Sequence, residues 1–287
     1  METAQAQYFR PHDLGSALNW LADNEARVAA GCTDLLASTE YQRLSGNILD
    51  VTAIQGLRGI SKDDEYWRFG ATTTWTDVIK AELPTAFDAL KLAARAVGSQ
   101  QIQHAGTLAG NLCNASPAAD GVPCWLTLDA RVELVSTSKT RILPLQDFIT
   151  GPRKTELARD ELVSAILVPH HASRGRSSFL KLGARKYLVI SIAMVAVRLV
   201  EDAGTITDCA ISVGSCSAVA TRLTAVESAL VGQSLSQLSF ANFEANVEAT
   251  INPIDDLRSD ANGRFAAACE LIQRCISALA ADKVGAK

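Results

Sequence analysis

Fourteen residues, Thr107 to Asp120 (Thr-Leu-Ala-Gly-Asn-Leu-Cys-Asn-Ala-Ser-Pro-Ala-Ala-Asp), constrain this chain more than any other stretch. Nothing in them is bulkier than two leucines. Small residues leave backbone N–H groups uncovered, so a bulky polar ligand can reach the main chain. Ser116-Pro117, followed by Asp120, reads as a helix start, with a hydroxyl as N-cap and proline at the first helical position. A helix N-terminus beside uncovered amides favours an anion such as a diphosphate. A tight turn that begins an ordinary helix accounts for the same residues equally well.

A second turn of similar character lies upstream. Ala26-Arg-Val-Ala-Ala30 is short enough for a buried strand, and Gly31-Cys-Thr-Asp34 then leads into Leu35-Leu36. The order predicts a strand feeding a tight turn into a helix, with amides at Gly31 to Asp34 that can face a phosphate. A plain strand–helix turn is the simpler reading of that motif on its own.

Around these turns the periodicity predicts a mixed α and β chain. Leu14, Leu18 and Leu21 have helical spacing after Asp13 as N-cap, and residues 85–97 form a helix ending at Gly98. Strands are expected at 47–51, 67–71, 130–135, 141–144 and 161–169, with a short helix before Pro84 and a loop over 147–157. His170 to Ser178 is polar and basic, which marks a linker. Beyond it, strands over 178–182, 190–200 and 206–213, with Glu201-Asp-Ala-Gly204 as a turn, precede helices at 220–231, 236–250 and 261–281. The class is α+β: domain 1–170, in two subdomains meeting near 55–60, and domain 171–287, a three-stranded antiparallel sheet with helices.

Composition narrows the function. With 287 residues and a net charge of −4, the chain gives no electrostatic reason to expect a nucleic-acid or acidic-membrane partner. Met1 to Arg10 lacks the apolar core of a secretory signal. No apolar run reaches the roughly 18–20 residues of a membrane span. Val189 to Val200 comes nearest and is broken by Ser191 and Arg198. The seven cysteines show no C-x₂-C pair, so they read as reduced thiols in a cytoplasmic protein, with no metal or iron–sulfur cluster in this chain. His104 has no acid or metal partner in the pattern, His170-His171 read as solvated rather than chemical, and no residue reads as catalytic.

Three motifs together carry a resemblance: Ala30-Gly-Cys-Thr-Asp-Leu-Leu36; Thr107-Leu-Ala-Gly-Asn111 with Ser116-Pro-Ala-Ala-Asp120; and Phe179-Leu-Lys-Leu-Gly-Ala-Arg185. In this order, and over about residues 7–280, the chain resembles the FAD-binding medium subunit of the molybdenum hydroxylases, the xanthine dehydrogenase and carbon monoxide dehydrogenase family. The resemblance implies a two-part FAD-binding domain of the PCMH type. It implies that Val28, Ala29, Ala30, Gly31, Cys32, Thr33, Asp34 and Leu35 wrap the FAD diphosphate, and that Thr107, Gly110 and Asn111 complete the cradle. Asp120 would bond a hydroxyl of FAD, while Val97, Val163 and Lys181 would lie near the cofactor, the last two by the isoalloxazine ring.

A cation at Lys181 would stabilise the anionic reduced flavin; without the resemblance, a strand lysine with its head in water is the plainer reading. The motifs depart from the family pattern at Cys32 and at Ala109, each standing where a glycine is usual. The cysteine-bearing insertion of relatives that reduce aromatic acyl-CoA thioesters is missing.

The function implied is electron transfer from [2Fe–2S] clusters of a small partner subunit, through FAD, to an external acceptor. A large partner subunit would hold the molybdenum cofactor, and the complex would be a dimer of heterotrimers. Two other readings stay open on the residues: a stand-alone FAD oxidase, for which about 110 residues after the linker leave little room for a substrate cap, and a non-catalytic nucleotide-binding module.

Overall fold

In the computed structural model, residues 6–37, 39 and 44–281 are described. The first layer is a small parallel sheet, β1 (Tyr8–Phe9), β2 (Ala26–Ala29) and β3 (Asn47–Asp50) in the order β1-β3-β2, beside helix α1 (Leu14–Asp23). Asp13 caps α1 as expected, its carboxylate accepting from the Ser16 amide at 2.8 Å. Ala17, Leu18 and Leu21 bury the inner face against Leu49, Val51 and Ile54.

The middle layer is a five-stranded antiparallel sheet. Its strands are β4 (Ile60–Lys62), β5 (Tyr66–Gly70), β6 (Arg131–Val135), β7 (Thr140–Pro144) and the later β10 (Leu162–Pro169), ordered β4-β5-β10-β6-β7. β10 is central, and its residues from Leu162 to Val168 are all buried, which explains a nearly continuous apolar run.

Between β5 and β6 come five helices: α2 (Trp75–Lys80), α3 (Asp88–Ala96), α4 (Gln100–Ala105), α5 (Leu108–Asn114) and α6 (Gly121–Thr127). Thr74 is the N-cap of α2 and forms a reciprocal capping box with Asp77. The expected loop at 147–157 is mostly regular: α7 (Leu145–Phe148) and a tight hairpin of β8 (Ile149–Gly151) and β9 (Lys154–Thr155).

The C-terminal unit has β11 (Arg176–Leu182), β12 (Ala193–Asp202) and β13 (Thr205–Gly214) as three long antiparallel strands, extended by the two-residue β14 (Thr221–Arg222). Helices α8 (Thr224–Leu230), α9 (Phe243–Glu248) and α10 (Ala261–Ala281) follow. β12 buries both faces. Ala193, Val195, Val197 and Leu199 pack with the helices, whereas Met194 and Ala196 join the core of the middle layer with Phe69 and Trp125.

Two arginines reinforce this seam. Buried Arg198 donates to the Thr127 carbonyl at 2.8 Å, and Arg222 donates to the Leu126 carbonyl at 2.9 Å and to Asp129 at 2.7 Å. Both bind the C-terminal end of α6, where the helix dipole favours cations. Among the described residues no helix is long and apolar enough to cross a membrane.

Candidate functional site

The first turn does not lead into a helix. Residues 33–37 remain a turn, closed by the Leu36 amide donating to the Cys32 carbonyl at 3.3 Å. Cys32 adopts φ +56°, a left-handed conformation that reverses the chain and is incompatible with continuing helix. Gly31 is needed for contact: a Cβ there would lie 2.0 Å from the Ala105 carbonyl oxygen and 2.9 Å from Gly106 Cα. The amides of Gly31, Cys32, Thr33 and Asp34 have no partner among the described residues. Successive free amides around a left-handed residue form the kind of concavity that binds anions.

The second stretch is organised differently from its sequence reading. Thr107, not Ser116, is the N-cap, and it opens α5. Ser116 instead accepts from the Ala118 amide in a turn at 3.3 Å, and the next helix begins only at Gly121. The reason is Ala115, whose φ of +44° ends α5 and turns the chain.

All four amides of the first turn of α5 are taken within the protein. Leu108 donates to the Thr73 carbonyl, Ala109 to the Ala71 carbonyl, Asn111 to the Thr107 carbonyl, and Gly110 to the Thr107 hydroxyl. The second wall therefore offers side chains and a smooth helix face rather than open backbone donors. Asn111 Oδ1 is buried and has no partner among the described residues.

The two walls enclose a cleft of about 770 Å³, in the upper part of the roughly 300–1,000 Å³ range of small-ligand sites. Val28, Ala30, Gly31, Cys32, Thr33, Asp34 and Leu35 line one side, and Thr107, Gly110 and Asn111 the other. Val97 and Val163 lie on the same lining. Ala29 is buried behind the first wall and does not reach the cleft.

Asp120 and Lys181 are brought together, and neither is on that lining. Lys181 Nζ donates to Asp120 Oδ2 and Ser191 Oγ to Asp120 Oδ1, both at 2.6 Å, and Lys181 also donates to the Val189 carbonyl at 3.3 Å. Burial lifts the Asp120 carboxyl above its ordinary range, while the Lys181 ammonium and the two hydrogen bonds pull it back. Asp120 thus joins the start of α6 to the C-terminal sheet. Lys181 is held by its acid partner rather than by water alone.

The structure adds residues that motif reading passed over. Thr72, Trp75 and Ile102 line the cleft beside Thr107, while Cys113, Asn114, Arg153 and Leu157 line it further along. Trp75 also packs where a Cβ on Gly121 would come within 2.5 Å of its ring. The face of α5 was legible in principle, because 109, 110, 113 and 114 recur at helical spacing. Arg153 carried only the weak signal of a charge in a Gly-Pro turn. All seven cysteines are free thiols; Cys32 and Cys113 are the two partly exposed ones, and burial pushes the Cys113 thiol up to about 12.

These features suit a dinucleotide such as FAD: a close-approach glycine, a run of open amides for a diphosphate, an orphan carboxamide oxygen, and a long apolar cleft. Comparison with known proteins agrees. Residues 4–171 match the model of the FAD binding domain in molybdopterin dehydrogenase, and residues 178–279 that of the CO dehydrogenase flavoprotein C-terminal domain. The nicotinate dehydrogenase FAD-subunit of Eubacterium barkeri is 33% identical over 211 residues, 70% of this chain and 71% of that one. The carbon monoxide dehydrogenase medium chain of Hydrogenophaga pseudoflava is 25% identical, covering 95% and 96%. Among solved structures, reconstituted CO dehydrogenase from Oligotropha carboxidovorans superposes with a TM-score of 0.89 at 25% identity, over 98% of this chain and 99% of that one. The chain belongs to the molybdopterin dehydrogenase family, as an FAD-binding subunit of a molybdenum hydroxylase.

Proposed function

We propose that this chain is the electron relay of a cytoplasmic, heterotrimeric molybdenum hydroxylase, assembled as a dimer of heterotrimers. A small subunit bearing [2Fe–2S] clusters hands electrons to FAD held here, and an external acceptor removes them; a large subunit carries the molybdenum cofactor and the substrate. Bound FAD supplies the exchange between one-electron and two-electron carriers.

The observation that carries this reading is the run of four open amides, Gly31 to Asp34, facing α5 across the cleft. Two negative charges on a diphosphate need several donors, and a nest of amides supplies them without a metal. Ala30 and Leu35 flank the nest, with Val28 one step further along the wall. Thr107 and Asn111 offer the opposite polar groups, while Val97 and Val163 give the apolar surface that keeps water from a flat ring.

Asp120, Ser191 and Lys181 form a buried polar group beside the site, suited to meeting a FAD hydroxyl and the ring's polar edge when FAD is bound. The Lys181 to Val189 segment, tied back through Lys181 and the Val189 carbonyl, then gates acceptor access. Lys181→Ala is expected to alter acceptor kinetics; unchanged kinetics would remove that gate.

Purification with its neighbours tests the whole reading. The chain should carry flavin absorbance at about 450 nm and bring down iron–sulfur and molybdenum-bearing partners. A colourless chain that remains colourless after incubation with FAD would sink it.

A further inference from the structure

Among the described residues lining the cleft, Arg153 is the one cation and Asp34 the one carboxylate. Arg153 sits at the tip of the β8–β9 hairpin with φ +61°, a left-handed conformation that is uncommon away from glycine. Its backbone amide donates to the Ala115 carbonyl at 2.8 Å, and its Nη1 donates to the carbonyl and side-chain oxygens of Asn114. Three contacts therefore pin the hairpin tip onto the C-terminal end of α5. The side chain is nonetheless exposed, and its Nε and Nη2 have no protein partner among the described residues.

A guanidinium fixed on one edge, with donors left over, on the lining of a cleft suited to a dianionic cofactor is a binding group rather than a surface ornament. We infer that Arg153 is a cofactor-contacting residue, which donates through Nε and Nη2 to negative charge on bound FAD. This rests on FAD occupying the cleft. The charge has two sources in one molecule: the diphosphate oxygens, and the ring once it is reduced to its anionic form. Both are anionic oxygen or nitrogen acceptors, and the inference covers either.

The test uses the full chain stripped of flavin, as wild type, Arg153→Gln and Arg153→Lys. Each is titrated with FAD and with riboflavin at low and high salt, and the midpoint potential of bound FAD is then measured. The expected result for Arg153→Gln is FAD affinity about tenfold weaker or a lower midpoint potential, with Arg153→Lys restoring most of the loss.

A loss on FAD with riboflavin unaffected, and a shallower salt dependence, assigns the diphosphate; a shifted potential at equal affinity assigns the ring. Arg153→Gln matching wild type in both affinity and potential overturns the inference. So does Arg153→Lys losing as much as Arg153→Gln while both unfold at lower temperature, since that marks a helix-capping role alone. A wild-type chain that binds no FAD, or a Gly31→Val chain that binds it normally, would instead overturn the site itself.

Discussion

The two walls of the cleft solve opposite problems. The Gly31 to Ala37 turn is irregular, has a left-handed cysteine, and leaves four successive amides without partners among the described residues. The Thr107 to Asn114 wall is a capped helix whose opening amides are all consumed. Unpaired backbone donors cost free energy when buried, so a chain keeps them only where a ligand or water takes their place. A donor-rich wall set against a closed one teaches that the ligand's charge is met from one side, while the other side sets shape and register.

The largest expected effect comes from the point where the walls touch. Gly31→Val places side-chain atoms on the Ala105 carbonyl, 2.0 Å from the position of Cβ alone, so the turn must move. FAD affinity should fall by about a hundredfold or more, with the circular dichroism of the chain unchanged, because the rest of the first layer does not pass through that contact. Retained affinity would mean the open amides are not the anion site.

Thr107→Ala attacks the closed wall. It removes the hydroxyl that caps Gly110 and should lower stability by about 1 kcal/mol, measurable by urea denaturation, with a smaller effect on FAD affinity than Gly31→Val. The reverse ranking would invert the comparison between the walls.

A third prediction concerns the floor that both walls share. Buried Glu161 accepts from Arg141 Nε and Nη2 at 2.7 Å and from the Ala158 amide, just before Leu162 and Val163 enter the cleft. The bonds from Arg141 hold the Glu161 carboxyl below its ordinary value of 4.5. A depressed carboxylate stabilises the fold above pH 4.5, and that contribution is lost as pH falls through the lowered folded value. Glu161→Gln should therefore flatten the acid limb of a stability–pH profile by about 1 kcal/mol or less, because Arg141 is partly exposed. An unchanged limb would remove Glu161 from the account.

The smallest effect has the opposite sign. Cys32→Gly relieves a left-handed residue, worth about 1 kcal/mol, against added unfolded-state entropy of roughly 0.5 kcal/mol. A slight rise in melting temperature is expected, with FAD affinity kept.

Much of this was legible in the sequence because local chemistry and tertiary role coincide. Asp13 reads as a cap and is one; the apolar run at 162–168 reads as a buried strand and lies at the centre of its sheet. The three long strands after residue 175 are set off in the sequence by the turn at 201–204. The misreadings share one cause. Leu35-Leu36 after a turn suggests a helix, yet a left-handed Cys32, fixed by the approach of Gly31 to Ala105, is a tertiary demand that no local pattern records. Ser116-Pro117 has the composition of a helix start, but the helix opens at Thr107, where the carbonyls of Thr73 and Ala71, from a distant strand end, take the amides of Leu108 and Ala109. Arg153 escaped notice for the same reason: its significance is the end of α5, some forty residues earlier in the chain.

The most direct test of the open wall uses its own thiol. Cys32 lines the cleft and is partly exposed, whereas Cys269 is buried in the C-terminal core. Maleimide labelling of each cysteine, followed by mass spectrometry, should show Cys32 modified markedly more slowly in FAD-saturated chain than in flavin-free chain, with the rate at Cys269 unchanged. Equal labelling of Cys32 with and without saturating FAD would contradict the placement of the diphosphate on the Gly31 to Asp34 amides.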